Sequence, residues 1–416
     1  MRDYRPRVAD GELARLRQAL GAVLIEGPKA CGKTATAIQV ANTIIRFDED
    51  DAARAQVVLA PDELFKGTPP ILFDEWQLEP AIWNRVRRQV DNRRCKGDFI
   101  LTGSARPNDD VTRHSGAGRF ATLRMRPMSL FESGHSNGQV SLTALLNGHT
   151  QSGAGTHLDF QELLQRIVIG GWPEIIDESE AVARDWLRGY ISQVVEVDVP
   201  SLGSRRNPDN LRRLFASLAR NVAQAVRQSE LAKDVGEADG PVSTATMAGY
   251  LEALDRLCLT DNSTAWRPHM RSKTPLRTAP VRYFVDPSLA TAALGIGTAE
   301  LAHDMQALGF HFEALVIRDL RVYAQPHWGT VESWRDKNGN EVDAIVCLSE
   351  SKWAAFEIKL NPRDVDTAAA ALLKFASTVD QDRHGPPAAL GVITSTGAAG
   401  RRPDGVHVIP IGCLAP

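Results

Sequence analysis

The stretch "AVLIEGPKACGKTATAIQVANTII" (residues 22–45) decides the fold of the first third of the chain. It opens on a short apolar run typical of a buried strand, turns at Gly27 and continues with helical periodicity. Residues 27–34 fit in full the pattern GxxxxGK followed by Ser or Thr. Gly27 and Gly32 allow the backbone to fold tightly around an anion, and the N–H groups that open the helix point towards it. The stretch therefore predicts a phosphate-binding loop between a strand and a helix.

A loop of this kind assigns a role to each of its residues. Lys33 is long enough to reach the β- and γ-phosphates of ATP, and the Thr34 hydroxyl is a suitable ligand for Mg²⁺. The alternative is a chance match in a glycine-containing turn, which the flanking strand and helix argue against. The residues predicted to contact the nucleotide are Gly27, Pro28, Lys29, Ala30, Cys31, Gly32, Lys33, Thr34 and Ala35.

Two further apolar runs end in polar residues suited to nucleotide hydrolysis. "PPILFDEWQLEP" (69–80) ends its strand at Asp74 and Glu75, which we assign to the Mg²⁺ shell and to polarising the attacking water. "GDFILTGSA" (97–105) ends at Thr102 and Ser104, and Ser104 is the candidate sensor of the γ-phosphate. A surface-exposed strand end is the alternative for the acidic pair. The three runs predict an α/β fold with a doubly wound parallel sheet that binds ATP and Mg²⁺ at its carboxyl edge.

Basic residues follow the second strand and surround a glycine-rich turn. Residues 81–98 carry six basic and two acidic side chains, compatible with a solvated helix face or with nucleic-acid contact. In "HSGAGRFATLRMRPMSLFE" (114–132), Arg119 lies beside the glycine-rich turn, with Arg124 and Arg126 further along. We take Arg119 as the candidate arginine finger that acts across a subunit interface, which predicts a homo-oligomer.

The motifs together resemble a bacterial and archaeal family of predicted ATPases of the AAA+ class. The resemblance rests on the run GPKACGKT, ILFDEWQLEP, FILTGSARP, HSGAGRF, RPMSLFE and GGWPE, and it extends over almost the whole chain. It implies an ATPase domain followed by a C-terminal region that often contains a nuclease-like domain. It also implies nucleotide-site roles for Gly27, Lys33, Thr34, Asp74, Glu75 and Ser104.

The middle of the chain predicts helices that resemble a DNA-binding module. Residues 134–156 are rich in Gly, Ser, Thr and Asn, which indicates a linker, and 160–176 predict a helix that ends at two glycines. From about residue 209, three helices and two strands follow in the order of a winged helix, which can bind DNA or a protein. The candidate phosphate contacts between those strands are Arg267, Arg271, Lys273 and Arg277.

The C-terminal part predicts a restriction-endonuclease-like α/β domain. A helix over 299–324 precedes three strands, "GTVESWRD", "EVDAIVCL" and "KWAAFEIKL", the first two joined by an Asn-Gly turn. A helix near 364–379 and the strands "ALGVITS" and "VHVIPI" complete the segment. Helix, three-strand meander, helix and strand is the order of that fold.

Three charged residues interrupt the apolar strands of this segment. Glu357 and Lys359 share one strand face, and Asp343 is on the neighbouring strand. We assign Asp343 and Glu357 as ligands of Mg²⁺ or Mn²⁺, with Glu313 as a further ligand and Lys359 acting on the attacking water or the phosphate charge. The spacing resembles the PD-(D/E)xK nuclease superfamily. The alternative is a structural ion pair in a fold that does not cut.

Composition sets the remaining expectations. The chain has 416 residues, 43% of them hydrophobic, a net charge of −3 and five scattered cysteines, which predicts a cytoplasmic protein without a membrane span. The leading hypothesis is an ATP-dependent DNA-processing enzyme. The alternative is a nucleotide-regulated switch with a protein partner, as in a toxin–antitoxin system. The predicted segments are an ATPase domain (1–135), a linker and helical region (136–205), a winged helix (206–298) and a nuclease-like domain (299–416).

Overall fold

A computed structural model describes residues 4–104, 114–149, 153, 155–202, 206–236, 240–267, 279–336, 339–348 and 352–416. Within these ranges the chain forms a five-stranded sheet, a six-stranded sheet and a two-stranded sheet. None of the helices in these ranges is long and apolar enough to cross a membrane.

The N-terminal module (residues 4–133) is built on a parallel sheet. Its strands are β1 (Ala22–Glu26), β2 (Thr43–Arg46), β3 (Ile71–Asp74), β4 (Phe99–Gly103) and β5 (Phe120–Arg124). They lie in the order β2-β3-β4-β1-β5 and every pairing is parallel. The helices are α1 (Val8–Ala19), α2 (Lys33–Ile38), α3 (Asp51–Leu59) and α4 (Ala81–Arg93). The predicted parallel sheet is confirmed.

The middle module (residues 156–300) is mainly helical. Before it, β6 (Val140–Ser141) and α5 (Leu142–Leu146) lie within the predicted linker, so this part of the linker is an ordered element. The helices of the module are α6 (Phe160–Ile169), α7 (Glu180–Gln193), a π-helical turn (Val194–Asp198), α8 (Val199–Ser201), α9 (Pro208–Arg220), α10 (Gln228–Gly236), α11 (Thr244–Arg256) and α12 (Pro287–Leu294). Helix α6 ends at Gly170, as its sequence predicts.

The two strands expected after α11 are reduced to isolated bridges among the described residues. Thr260 bridges Phe284, and Val281 bridges both Ser263 and Ala225 in antiparallel fashion. The winged helix therefore stays a prediction. Of its basic stretch, Arg267 is exposed, whereas Arg271, Lys273 and Arg277 lie outside the described residues.

The C-terminal module (residues 298–416) contains the six-stranded sheet. Its elements are α13 (Thr298–His303), α14 (Met305–Ala324), β7 (Thr330–Arg335), β8 (Glu341–Cys347), β9 (Trp353–Lys359), α15 (Val365–Thr378), α16 (Gln381–His384), β10 (Ala389–Thr394), β11 (Gly400–Arg401), β12 (His407–Pro410) and β13 (Leu414–Ala415). The sheet order is β11-β12-β10-β9-β8-β7, with β7, β8 and β9 an antiparallel meander and β10 and β12 parallel to β9.

One predicted element of this module is wrong. The single helix expected over 299–324 is two helices, because the Asp304 side chain accepts hydrogen bonds from the backbone N–H groups of Gln306 and Ala307. This N-cap starts a new helix at Met305 and ends the continuity with α13.

Shared cores join the three modules. One face of the five-stranded sheet packs with helices α7 and α9 to α12 in a single apolar cluster. A second cluster combines α5, α6 and α14 with one face of the six-stranded sheet. Strand β13 pairs in parallel with β6, so the last strand of the chain returns to the segment after the N-terminal module. The C-terminal module is therefore packed against the rest of the chain along α14.

Candidate functional site

The phosphate-binding loop lies at the carboxyl edge of the parallel sheet, between β1 and α2. Gly32, directly before α2, has a φ of 102°, and Ala30 has a φ of 61°. Conformations with positive φ are uncommon outside glycine and cluster at functional sites. Lys33 is only 5% exposed, and its Nζ donates hydrogen bonds to the carbonyl oxygens of Gly27 (3.1 Å) and Pro28 (2.8 Å). The Lys33 side chain is therefore folded back over the phosphate-binding loop, with its ammonium against the backbone of that loop.

A hydroxyl and a carboxylate meet beside this lysine. The Thr34 hydroxyl donates to Asp74 Oδ1 at 2.8 Å, and the Thr102 hydroxyl donates to the same oxygen. Mg²⁺ in nucleotide sites is commonly held by one or two carboxylates together with substrate phosphates. The adjacent hard oxygens of Thr34 and Asp74 fit that requirement, and their role as Mg²⁺ ligands stays a prediction.

Glu75 and Ser104 lie next to this pair. Glu75 has a φ of 52°, another strained position, and its carboxylate accepts hydrogen bonds from Gln77 and, at 3.4 Å, from Ser104. Gln77 also donates to Ser104 Oγ at 3.4 Å. Sequence reasoning missed Gln77; its only signal is a polar residue between Trp76 and Leu78, two positions after the acid.

An open cleft of about 770 Å³ joins these residues to the middle module. On one side it is lined by the phosphate-binding loop with Asp48, Glu75, Gln77 and Ser104. On the other side the lining residues are Pro173, Glu174, Asp198, Ser201 and Leu257. No motif in the sequence predicts this second wall, which comes from distant segments of the chain.

The GGWPE segment is held rigidly against both modules. A Cβ on Gly171 would lie 2.0 Å from the carbonyl oxygen of Met128, so only glycine fits there. Trp172 is fully buried, and its indole N–H donates to Ser288 Oγ at 3.0 Å. The tryptophan is therefore a packing anchor, and it places Pro173 and Glu174 in the cleft.

Arg7 supports the phosphate-binding loop from the N-terminal segment. Its guanidinium donates to the Cys31 carbonyl at 2.8 Å and to Glu132 Oε1 at 3.1 Å, and the residue is buried. The sequence carries no motif that would single out this arginine. It contributes a positive charge beside a loop expected to bind phosphates.

Arg119, the arginine-finger candidate, lies at the opposite edge of the sheet from the phosphate-binding loop. Its carbonyl accepts a hydrogen bond from the N–H of Ala22, the first residue of β1, and its side chain pairs with Asp91 at 2.8 Å. The residue is thus away from the nucleotide site of its own chain, and its action on a neighbouring subunit stays a prediction.

In the C-terminal module, the three charged strand residues do meet. Lys359 Nζ lies 2.6 Å from Glu357 Oε2 and 3.2 Å from Asp343 Oδ2. Asp343 Oδ2 also accepts the backbone N–H of Ile358 at 2.7 Å. Glu313, on α14, accepts a hydrogen bond from the Tyr283 hydroxyl at 2.5 Å.

Burial and mutual repulsion shift the pKa values of the ionisable groups in this cluster. Burial and the Asp343 carboxylate raise the pKa of Glu357 to about 8. Burial and Asp343 also raise the pKa of Glu313 well above its usual range. Although burial opposes it, the Asp343 and Glu357 carboxylates raise the pKa of Lys359, which stays protonated. The shifts therefore favour the neutral forms of Glu357 and Glu313, while Lys359 keeps its charge beside them.

The predicted metal does not fit this cluster as it is arranged. Within the described residues, no group of three or more His, Cys, Asp or Glu side chains is positioned to hold a metal ion. Lys359 instead occupies the space between Asp343 and Glu357. The three side chains form an ion-paired triad.

Family models divide the chain into three parts. Residues 20–133 match a family described as an AAA domain. Residues 160–300 match a domain of unknown function (DUF8612), and residues 308–414 match another (DUF4143). The AAA match covers all five parallel strands and the phosphate-binding loop. The N-terminal module is a P-loop ATPase-type domain, and the match supports ATP as the ligand of the cleft.

Similar proteins extend over more of the chain without adding a function. An uncharacterized protein of Mycobacterium tuberculosis is 26% identical over 355 residues, which are 83% of this chain and 72% of that protein. An uncharacterized protein of Haemophilus influenzae is 23% identical over 276 residues, 65% of this chain and 62% of that protein. The solved Walker-type ATPase of Pyrococcus abyssi is 12% identical, with a TM-score of 0.41, over 70% of this chain and 99% of that chain.

Proposed function

We propose that this chain is a Mg²⁺-dependent ATPase whose nucleotide cleft is completed by its middle module. The observation that carries the proposal is the convergence of Lys33, Thr34, Asp74 and Glu75 on one cleft at the carboxyl edge of a parallel sheet. Catalysis in such sites is mainly positioning and electrostatic stabilisation, so the placement of these charges is what hydrolysis requires.

Each residue of the cleft has a distinct part in this proposal. Lys33 exchanges the carbonyl oxygens of its own loop for phosphate oxygens, which are stronger acceptors because they are charged. Glu75 orients the attacking water and accepts its proton, while Gln77 and Ser104 hold the Glu75 carboxylate in place. Thr34 and Asp74 would hold Mg²⁺, which when bound neutralises charge on the phosphates.

We expect Glu75→Gln to lower the rate of ATP hydrolysis by about 10²- to 10³-fold, because the variant loses the general base. Binding of a fluorescent ATP analogue should stay within about threefold of the parent, because the amide preserves the shape of the side chain. Phosphate release and analogue binding are measured side by side. Glu63→Gln, at an exposed carboxylate paired with Lys66, is the control. If Glu75→Gln hydrolyses ATP at the rate of the parent protein, Glu75 is not the general base.

A second candidate function is DNA cleavage by the C-terminal module. One observation favours it: Lys359 contacts both Asp343 and Glu357 across neighbouring strands, so the three residues of the predicted motif lie together. The order of the strands around Asp343 and Lys359 agrees with a restriction-endonuclease-like core, and the exposed Arg267 next to the predicted basic stretch would contact DNA phosphates.

If this second function holds, the parent protein nicks DNA, and Asp343→Ala loses at least about a hundredfold of that rate. The reason is that Asp343 holds Lys359 in place, and the Lys359 ammonium would stabilise the charge that develops on the attacked phosphate. Products are scored on duplex, single-stranded and branched DNA, with the exposed Asp364→Ala as control.

Identical products from the parent and from Asp343→Ala would exclude cleavage at this triad. The alternative would then stand: an ATP-regulated switch, as in a toxin–antitoxin system, whose C-terminal fold binds a partner without cutting. The ion-paired arrangement of Lys359 between two carboxylates is the observation that favours this alternative.

A further inference from the structure

An ion pair ties the phosphate-binding loop to the middle module. Lys29 Nζ lies 2.5 Å from Asp198 Oδ1, and both residues line the nucleotide cleft. The Lys29 side chain is 50% exposed, whereas the Asp198 side chain is 10% exposed. The pair therefore joins a half-exposed lysine of the phosphate-binding loop to a largely buried carboxylate in the opposite wall of the cleft.

The carboxylate is held by an unusual backbone element. Asp198 is the last residue of the π-helical turn Val194–Asp198, which separates α7 from α8. π-helical turns are rare and frequently occur at functional sites. Val195 within this turn and Val199 directly after it are buried in the core shared with the parallel sheet, so the turn is packed against the nucleotide-binding module.

A second contact links the same loop residue to an aromatic cluster. The Tyr190 hydroxyl donates to the Lys29 carbonyl at 3.4 Å. The Tyr190 ring packs against Trp186 and Trp172, with ring centroids 5.3 Å and 5.0 Å away. Trp172 precedes Pro173 and Glu174 of the cleft wall. A displacement of Lys29 would therefore alter its contacts with two parts of the middle module that line the cleft. These parts are the turn that ends at Asp198 and the aromatic cluster before Pro173.

The relative strengths of the two interactions allow Lys29 to leave Asp198 for a phosphate of the nucleotide. Solvent screens an ion pair with one half-exposed partner, so the Lys29–Asp198 pair is weak. A charge-assisted hydrogen bond to a phosphate is stronger. A triphosphate carries several negative oxygens, so it competes well with a single carboxylate for the Lys29 ammonium. Lys33, by contrast, is buried and already turned towards the loop.

We propose that Lys29 is a second phosphate-binding lysine of this loop and that Asp198 holds it until ATP enters the cleft. ATP then takes Lys29 from Asp198, and the segment 194–202 loses its tie to the nucleotide-binding module. This inference rests on the proposed ATPase function. It adds a positioning residue, Asp198, through which the middle module senses the nucleotide.

The decisive variant deletes both charges and so leaves no unpaired group. We expect K29A/D198N to bind a fluorescent ATP analogue with Mg²⁺ about tenfold more weakly than the parent, because a phosphate contact is lost. D198N alone should bind about three- to fivefold more tightly, because the competitor of the phosphate is gone. D185N removes the charge of an exposed carboxylate on α7 that pairs with Arg188 and does not line the cleft, and it is the matched control, expected within about twofold of the parent.

Hydrogen exchange gives an independent measurement. ATP should accelerate exchange of the backbone amides in 194–202 in the parent, whereas in K29A/D198N exchange should be fast already and insensitive to ATP. K29A/D198N with parent affinity, D198N indistinguishable from D185N, or an ATP-insensitive 194–202 segment in the parent would each overturn the inference. If the parent itself binds no ATP, the proposed function fails instead, so the two failures are distinguishable.

Discussion

Replacing Lys33 by alanine is expected to lower ATP hydrolysis by at least about a hundredfold. The ammonium is the charge nearest to the phosphates in the proposed site, and preorganised charges of this kind contribute about 10²- to 10³-fold to the rate. Because Lys33 is buried, cations from solution do not replace the positive charge that the substitution removes. Phosphate release at saturating ATP and Mg²⁺ is the measurement.

The fold should survive this substitution. Lys33 is the first residue of α2, and alanine is the best helix former. The hydrogen bonds that Lys33 donates go to two carbonyls of its own loop, so their loss breaks no contact between the loop and the rest of the module. Lys66→Ala, at an exposed lysine paired with Glu63, controls for the loss of a lysine elsewhere in the same module. Turnover by Lys33→Ala within about threefold of the parent would refute the ATPase proposal.

The sequence predicted the position of an element correctly where the determining pattern lies within a few residues. The loop over 27–34, the acidic pair after β3 and the meander of β7, β8 and β9 are all found where apolar runs and turn residues predict them. In these segments the fold depends on strand alternation and on glycine or asparagine at turns, and both are visible in a short window.

Long-range packing explains what the sequence could not predict. The second wall of the cleft comes from Pro173, Asp198 and Leu257, and Leu257 is more than 200 residues along the chain from the loop it faces. Strand β5 pairs with β1 although nearly a hundred residues separate them, which no local pattern reveals. The insertion of Lys359 between Asp343 and Glu357 depends on side-chain placement, so the spacing alone is equally compatible with a metal site.

The same long-range packing places a fully buried charge network where the three modules join. Arg318 on α14 donates to Asp286 Oδ2 at 2.8 Å and to Asp319 Oδ1 at 2.7 Å, and all three side chains are at most 2% exposed. Asp286 also accepts the N–H of Gly171, and Asp319 accepts the N–H of Leu130. The network therefore holds the GGWPE segment and the end of the N-terminal module against the C-terminal helix.

Arg318→Ala is expected to cost about 3–5 kcal/mol of folding stability, the largest stability effect that we predict for this chain. Although burial opposes it, the carboxylates of Asp319 and Asp286 raise the pKa of Arg318, so the guanidinium is charged in the folded state. Removing it leaves two buried acids without their shared cation. Urea unfolding followed by tryptophan fluorescence measures the loss, and Arg335→Ala, at an exposed pair with Glu341, should change stability by less than about 0.5 kcal/mol.

Arg318→Lys separates the role of charge from that of geometry. A lysine preserves the positive charge but lacks the planar fork by which Arg318 reaches both carboxylates at once, so it should recover less than half of the loss. Because Asp286 also fixes Gly171, and through it the cleft wall at Pro173 and Glu174, Arg318→Lys should weaken ATP binding even under conditions where the protein stays folded. A stable Arg318→Ala protein, within 1 kcal/mol of the parent and with unchanged ATP affinity, would show that this network neither holds the modules together nor supports the nucleotide cleft.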